Sequence, residues 1–419
     1  YPQRWYEAGM QKPITNAQLR VLMAGIRCKL LNTGCVTEVD DVIYKIKDNM
    51  TVKEVLEILY TMIKNTEFNK DIGIVAGENA LDYMAKTGIF TGYEGELSLK
   101  DICTIEQACA IATRLVTYLY DVLEASSKGF LWEIKSGENT AYLLGSIHVG
   151  NYDLYPLSNK ILKAFAESDV LCVEIDFVNT DVNMMTSLYM QYAYYTDGTT
   201  LKDHVSEETY QKAVMVGSSL GLPEETIALL KPWYLSSVFS AYARTTSNIY
   251  IDLGIDMRFL LDAYLKGKPV LELEGYEFQF NVLDSYSDEL DEYLLLGTLD
   301  LLTENNPENN TYGKEVNLLL KYWHDGDEES IKENMPILLY SDFPQNISEE
   351  EKQVYALLEE YKNKMFTQRD KRMAGLIDEL LNAEGSTTYF IMVGAGHYIS
   401  DYSVIDMLKE MGYEINRIK

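Results

Sequence analysis

The chain has 419 residues, 47% hydrophobic and 24% charged, with a formal net charge of −29 from 65 acidic and 36 basic residues. Such a length allows two or more domains. So acidic a surface excludes a nucleic-acid partner and is repelled by anionic membranes.

Residues 1–127 read as helical. Three segments open with the same device: Thr15-Asn16-Ala17-Gln18, Thr51-Val52-Lys53-Glu54 and Thr104-Ile105-Glu106-Gln107. In each, Thr caps the first turn and Gln or Glu three residues on reaches back to the cap amide. Each runs into an apolar helix, with Val55, Leu56, Leu59 and Ile63 in the second. Between the second and third boxes lies Gly88-Ile89-Phe90-Thr91-Gly92-Tyr93. With its flanking helices, this turn resembles an S-layer homology repeat, which implies contact with a cell-wall polymer. The positions matching that family's cation are Asn16, Lys53 and Glu106, so only Lys53 keeps the charge. A plain helical bundle accounts for the same residues.

Ser126-Ser127-Lys128-Gly129 has linker composition, dividing the chain into a helical part, 1–127, and a second part, 128–419. The pattern of 128–419 predicts an α/β fold: a mixed sheet covered by helices, with a large helical insertion. Phe130 to Ile134 and Ala141 to Ile147 form a hairpin-like pair, Asn159 to Ala166 a helix, and Val170 to Ile175 a continuous apolar strand. Residues 180–245 are helical and rich in Met and Tyr, which reads as core packing, with a lid over the site as the sharper alternative. A helix over Met257 to Leu265 precedes a strand over Pro269 to Leu273. Residues 279–303 and 350–382 are helical. A last strand runs from Thr387 to Val393 and a closing helix from Ser403 to Met411.

Two strands end alike, in Gly145-Ser146-Ile147-His148 and Gly394-Ala395-Gly396-His397. With 4 His and 26 Gly in the chain, chance gives about 0.25 Gly-x-x-His. Glycine permits close backbone approach, and histidine suits metal binding or proton transfer near neutral pH. His148, Asp176, Glu274 and His397 all fall at or just after strand ends, where ligands bind in such sheets. Two imidazoles with carboxylates are an ordinary ligand set for zinc, manganese or cobalt. Glu174, within an apolar strand, needs a metal, a cation or a proton to offset desolvation; Arg369 is a candidate cation, or a grip on a substrate carbonyl. There is no His-Glu-x-x-His and no Gly-x-Ser-x-Gly, which excludes an ordinary zincin and argues against a serine nucleophile. Ser146 is read as loop support, Glu277 and Gln279 as solvated helix, and His204 and His324 as surface residues.

The ordered set Leu131-Trp132-Glu133-Ile134, Tyr142 to Val149, Val173-Glu174-Ile175-Asp176, Gly254-Ile255-Asp256, Leu273 to Gln279, Arg369 to Met373 and Val393 to His397 resembles the TraB/GumN family over residues 129–419. That family includes TraB pheromone-shutdown proteins and the Tiki proteases. Gly275 stands where it has Thr, and Asp370 where it has Asn. The resemblance implies a metal-dependent peptidase with its site in the two Gly-x-x-His motifs. The residues expected there are His148, Glu174, His397, Arg369, Glu274 and Asp256, with His148, Glu174 and His397 as metal ligands. A metal-free hydrolase, with His148 as base, uses the same residues; a non-enzymatic binder of a peptide signal is the third reading. The expected partners are a peptide or protein substrate and a cell-wall polymer, and a homodimer is compatible.

No apolar run approaches the roughly 18–20 residues that span a bilayer. The chain begins at Tyr1 rather than Met, from which a removed leader and an extracellular or wall-associated location are expected. The five cysteines, Cys28, Cys35, Cys103, Cys109 and Cys172, include no Cys-x-x-Cys, against a structural zinc site. The odd count argues against a dense disulfide framework, with a Cys28–Cys35 or Cys103–Cys109 pair left open.

Overall fold

The computed structural model describes all residues except 1–2, 41, 43–45, 93–98, 246, 305–310 and 336–346. Two compact units are present: Tyr1–Ser126 with Tyr155–Asn159, and Ser127–Leu154 with Lys160–Lys419.

In the first unit all three capping boxes form, and they open the helices Asn16–Asn32, Val52–Asn65 and Ile105–Val122. Their apolar faces close one core around Leu19, Leu30, Leu56, Leu59, Leu115 and Leu119. After the Ala80–Lys86 helix, Gly88 and Gly92 take φ of +71° and +77°, which favours glycine. Tyr93 of that turn lies outside the described residues. Asn16 is tied to Ile46, Asp48 and Arg20, and Lys53 pairs with Glu57 at 3.6 Å. All five cysteines are free thiols. Burial pushes Cys103 up to about 12 and Cys109 up to about 11, which makes both poor nucleophiles.

The second unit is mixed α/β. Its strands are β1 (Phe130–Ser136), β2 (Asn139–Ser146), β3 (Val170–Val173), β4 (Val270–Glu272), β5 (Thr388–Gly394) and β6 (Ile415–Ile418). They form one sheet in the order β4-β3-β5-β2-β1-β6. The β4-β3-β5-β2 part is parallel, and β1 pairs antiparallel with β2 and β6. Strands buried on both faces read as unbroken apolar runs, as in Leu171-Cys172-Val173 and Phe390-Ile391-Met392-Val393. Phe165 and Phe259, from the helices Asn159–Glu167 and Ile255–Lys266, meet Phe390 with ring centroids 5.4 and 5.1 Å away.

The structure alters several expectations. β3 stops at Val173, so Glu174 lies beyond the strand, at the carboxyl edge of the sheet. Residues 180–245 divide into helices at Val182–Tyr192, Leu201–His204, Glu207–Ser219, Glu224–Leu229 and Pro232–Thr245. Ser127-Lys128-Gly129 is no loose linker: Ser127 is fully buried, and the Lys128 and Gly129 amides donate to the His324 and Trp323 carbonyls. A Cβ on Gly129 would lie 2.8 Å from the Trp323 ring, so only glycine admits that ring. His204 and His324 are half-buried rather than surface residues: each hydrogen-bonds an aspartate, and His204 stacks on Tyr195 at 4.4 Å.

Asp291, in the first turn of the Asp288–Glu304 helix, is 8% exposed and its Oδ1 has no hydrogen-bond partner. Burial, then the charges of Asp284 and Asp288, push its carboxyl up to about 7, with Lys231 opposing. The folded chain therefore holds a proton that the unfolded chain releases near pH ~3.9, and stability falls as pH rises between the two. Asp291→Asn removes this loss. Its melting temperature should match the parent near pH 4, exceed it progressively up to pH ~7 and keep the gap above. A constant difference across that range counts against this account.

Candidate active site

The carboxyl ends of β2, β3, β4 and β5 carry Ser146, Glu174, Glu274 and His397. Beyond β2 the loop is pinned to the start of the Ile255–Lys266 helix: the Ile255 amide donates to the Ile147 carbonyl at 3.0 Å, and Gly150 and Tyr250 exchange backbone hydrogen bonds. A Cβ on Gly254 would sit 2.5 Å from the His148 carbonyl oxygen, so glycine there lets the two segments touch. Asp256 is thereby delivered to both ends of the motif. Its Oδ1 accepts from Ser146 Oγ at 2.7 Å, and its Oδ2 from His148 Nδ1 at 3.0 Å. Ser146 is buried and committed to this bond, which fits loop support. The Asp256 charge holds the His148 imidazole up at about 9 against burial, with Glu174 contributing further. The ring nonetheless reaches solvent, its side chain being 64% exposed.

Glu174 and Glu274 form a buried network. Glu174 Oε1 accepts the Gly394 amide at 2.6 Å; Oε2 accepts Arg369 Nη2 at 2.6 Å and Gln279 Nε2 at 2.9 Å. Glu274 accepts Arg369 Nε at 3.0 Å, Arg369 Nη2 at 2.8 Å and Gln279 Nε2 at 2.9 Å. Side-chain exposure is 5% for Arg369, 11% for Glu174 and zero for Glu274. Burial opposes ionisation of Glu174, but the charges of His397, Arg369 and His148 hold its carboxyl down at about 2. Arg369 is thus the offsetting cation, fully engaged, and not a free grip on substrate. His397, on the turn after β5, hydrogen-bonds Asp370 Oδ1 through Nδ1 at 2.6 Å, and both are buried. Burial pushes the Asp370 carboxyl above its ordinary range, while the bond to His397 opposes this.

At Gly394 the backbone is bare. A Cβ there would stand 3.3 Å from His148 Nε2 and 3.5 Å from Glu174 Oε1. The missing side chain leaves a narrow niche with a nitrogen and a carboxylate oxygen on its wall.

The structure forms two hydrogen-bonded groups, His148 with Asp256 and Ser146, and Glu174 with Glu274, Arg369 and Gln279, with His148 and His397 acting on Glu174 electrostatically. Asp176 is part of neither; its carboxylate caps the amides of Val178 and Asn179 and contacts Tyr264. Two members were missed. Gln279, read as solvated, bridges the two glutamates, whereas Glu277 is exposed. Asp370 anchors His397. The available signal was spacing: Gln279 lies five residues past Glu274, one helical turn beyond Gly275, whose φ of +82° excludes an unstrained threonine.

The expected metal ligands were His148, Glu174 and His397. Both imidazoles have Nδ1 held by a carboxylate, the usual arrangement of a metal-ligating histidine. Glu174 Oε2 is taken by Arg369 and Gln279, whereas Oε1 accepts only the Gly394 amide and keeps a free lone pair. Among the described residues no group of three or more His, Cys, Asp or Glu is placed to hold a metal ion. Arg369 is the cation that neutralises Glu174 in this arrangement.

The sequence profile of the TraB/PrgY/gumN family matches residues 130–417, and the chain belongs to that family. It is similar to YbaP of Escherichia coli, with 25% identity over 273 residues, 65% of this chain and 89% of that protein. It is also similar to the metalloprotease TIKI homolog of Nematostella vectensis, at 22% identity, covering 69% of this chain and 67% of that one. The metalloprotease TIKI1 of Xenopus tropicalis is 23% identical, covering 70% and 62%. No solved structure matches. The profile begins at residue 130, so the S-layer-like reading of the first unit remains an expectation from sequence. No described helix is long and apolar enough to cross a membrane.

Proposed function

We propose that the chain is a hydrolase acting on peptide bonds, with its reacting centre in the niche over Gly394. The observation that carries this is the placement of His148 Nε2 and Glu174 Oε1 beside the same glycine, 3.3 and 3.5 Å from where its Cβ would stand. A water molecule seated there meets a carboxylate that accepts its proton and an imidazolium that donates. With His148 raised to about 9, the ring is protonated at neutral pH. Its role is then to hydrogen-bond the carbonyl oxygen as charge develops and to protonate the departing amine. Asp256 fixes the ring; Arg369, Gln279 and the Gly394 amide fix Glu174. Relatives named metalloproteases support the peptide class of substrate.

A second reading, a divalent metal of the Mn, Co or Zn class on the two imidazoles, is favoured by their carboxylate-held Nδ1 atoms. Metal analysis of protein purified without chelator, with turnover measured before and after chelation, separates the two. Absence of turnover on any peptide library favours the third reading, a binder of a peptide signal.

Gly394→Ala is the sharpest test of the niche. No positive φ is required there, and the added methyl meets side-chain atoms at 3.3–3.6 Å rather than backbone. The fold should persist with a melting temperature within a few degrees of the parent. Turnover should fall about a hundredfold, the cost of displacing a bound reactant by about 1 Å. Full turnover in this variant removes the niche from the mechanism.

A further inference from the structure

β4 is an open edge of the sheet, and from Glu272, its last residue, the chain runs on into Glu274 of the candidate active site. Its register on β3 pairs Val270 with Leu171, Leu271 with Cys172 and Glu272 with Val173. The Leu171 amide donates to the Pro269 carbonyl at 2.9 Å, and the Leu273 amide to the Val173 carbonyl at 2.8 Å. Successive residues of a strand turn their N–H and C=O to opposite sides. Leu271 therefore serves β3, while Val270 and Glu272 present both groups outward. No strand lies on that side, and among the described residues these outward groups have no backbone partner. Leu271 and Glu272 are exposed, and Val270 is half-buried.

An open edge is a template for another strand, and edges are ordinarily blunted by proline, charge or a bulge. The proline here is Pro269, which precedes both outward amides and removes neither. The charge is Glu272. Its Oε1 accepts the Asp176 amide at 2.8 Å, which draws Asp176 to the same corner, where the Tyr264 hydroxyl donates to its carboxylate. Neither acid makes an ion pair among the described residues; their contacts there are neutral N–H and O–H donors. The nearest lysines in sequence, Lys266 and Lys268, are turned onto the Phe165 ring at 5.2 and 4.9 Å, and Lys268 also donates to the Ser168 carbonyl. Arg258 is paired with Asp262 at 3.0 Å.

Charge decides which occupant this edge fits. Two copies of β4 paired antiparallel would set Val270 opposite Glu272 and make the two Glu272 residues diagonal neighbours on one face, about 7–8 Å apart. With each comes its Asp176, and four like charges in that space repel; the net charge of −29 on each chain adds to this. An extended segment with cationic side chains meets the same groups favourably. We propose that the outer edge of β4 binds an extended basic peptide segment, which adds to the sheet as a further strand. Val270 and Glu272 hold its backbone, and the Glu272 and Asp176 carboxylates take a Lys or Arg side chain. The proposal rests on the reading above only for the peptide class of ligand, and extends it from the bond acted on to the segment recognised.

The probes are octapeptides capped at both ends, one alternating valine with lysine and one valine with glutamate. Each carries a fluorophore and is titrated with the full chain by anisotropy at about 150 mM salt, where distant charges are screened. Mass spectrometry confirms that the probe stays intact. The lysine peptide should bind saturably and the glutamate peptide at least about tenfold more weakly. Two further lysine peptides, methylated on the backbone nitrogens of the lysines alone or of the valines alone, separate strand addition from attraction to an acidic surface. A strand turns alternate amides to its neighbour, so one series should lose binding and the other keep it. Glu272→Gln retains an acceptor for the Asp176 amide; it should leave the melting curve unchanged and weaken the lysine peptide severalfold. Val270→Pro deletes one outward N–H, leaves the β3 ladder intact and should weaken it further. Should Val270→Pro fail to fold, the methylated pair and Glu272→Gln decide. Four results overturn the proposal: the lysine peptide does not saturate, both methylated series bind alike, Glu272→Gln binds undiminished, or sedimentation shows a dimer that Val270→Pro dissociates, which gives the edge to a second copy. Because binding is read apart from turnover, a chain that binds the lysine peptide but cleaves no peptide removes the hydrolase reading and leaves this one standing.

Discussion

Arg369→Met should destabilise the second unit by about 3–5 kcal/mol, the usual result of removing one partner from a buried ion pair. Two carboxylates depend on this guanidinium, and Glu274 has no solvent-exposed side-chain surface to fall back on. Urea denaturation at pH 7, followed by tryptophan fluorescence, measures the loss. The pH dependence has a definite sign. In the parent, Glu174 is held down at about 2, so its contribution is present above its ordinary pKa and is lost as pH falls through the folded value. Without Arg369 that carboxyl takes up a proton more readily, which relieves the buried charge. The variant's deficit should therefore shrink between pH 7 and pH 4. Adding Glu174→Gln and Glu274→Gln to the same chain should recover part of the loss at neutral pH, since neutral amides no longer need a cation. A deficit under about 1 kcal/mol would mean that solvent already reaches the network, and burial would cease to explain why these charges are paired.

His148→Ala should lower kcat/KM by about 10²–10⁴, the range of a lost proton-transfer group, and leave thermal unfolding almost unchanged. Its side chain is 64% exposed, so little packing disappears. The parent's activity should hold through neutral pH and decline as the ring loses its proton near pH 9, because Asp256 keeps it charged until then. Asp256→Asn weakens that hold and should move the alkaline limb downward toward the ordinary histidine value of ~6.5. A His148→Ala protein with undiminished turnover would remove the imidazole from the chemistry. An alkaline limb that stays in place in Asp256→Asn would assign it to another group.

What the sequence made legible follows from how directly each residue is dictated by local pattern. β2, β3 and β5 show as apolar runs because parallel central strands bury both faces. The two Gly-x-x-His motifs stand out because histidine is scarce here. Asp256, Glu274 and Arg369 are located by family spacing, and the two hydrogen-bonded groups they belong to appear only in three dimensions. Gln279 and Asp370 were hidden for the same reason: each belongs to a helix whose inward face depends on packing, and a polar residue on a helix is ordinarily solvated. β6, Ile415-Asn416-Arg417-Ile418, escaped because so short an edge strand has little period to read. The insertion's breaks beyond its prolines escaped because capping at Asp181 and Ser206 sits within composition that is helical throughout. Trp323, fully buried against Gly129, gave no warning of its role in seating the first residues of β1.

The helix bearing Arg369 and Asp370 is continuous with Glu349–Lys362 through a π-helical stretch, Asn363–Thr367. Such a stretch accommodates an extra residue within the winding, and each residue advances an α-helix by about 100°. The stretch therefore acts as a phase offset: it sets the azimuth at which two adjacent side chains leave the rod, one toward the glutamates and the next toward His397. Deleting a single residue between 363 and 367 would restore regular winding while turning both side chains about a quarter of the way round. The chain's length at this point, as much as its chemistry, is what aims the guanidinium and the carboxylate.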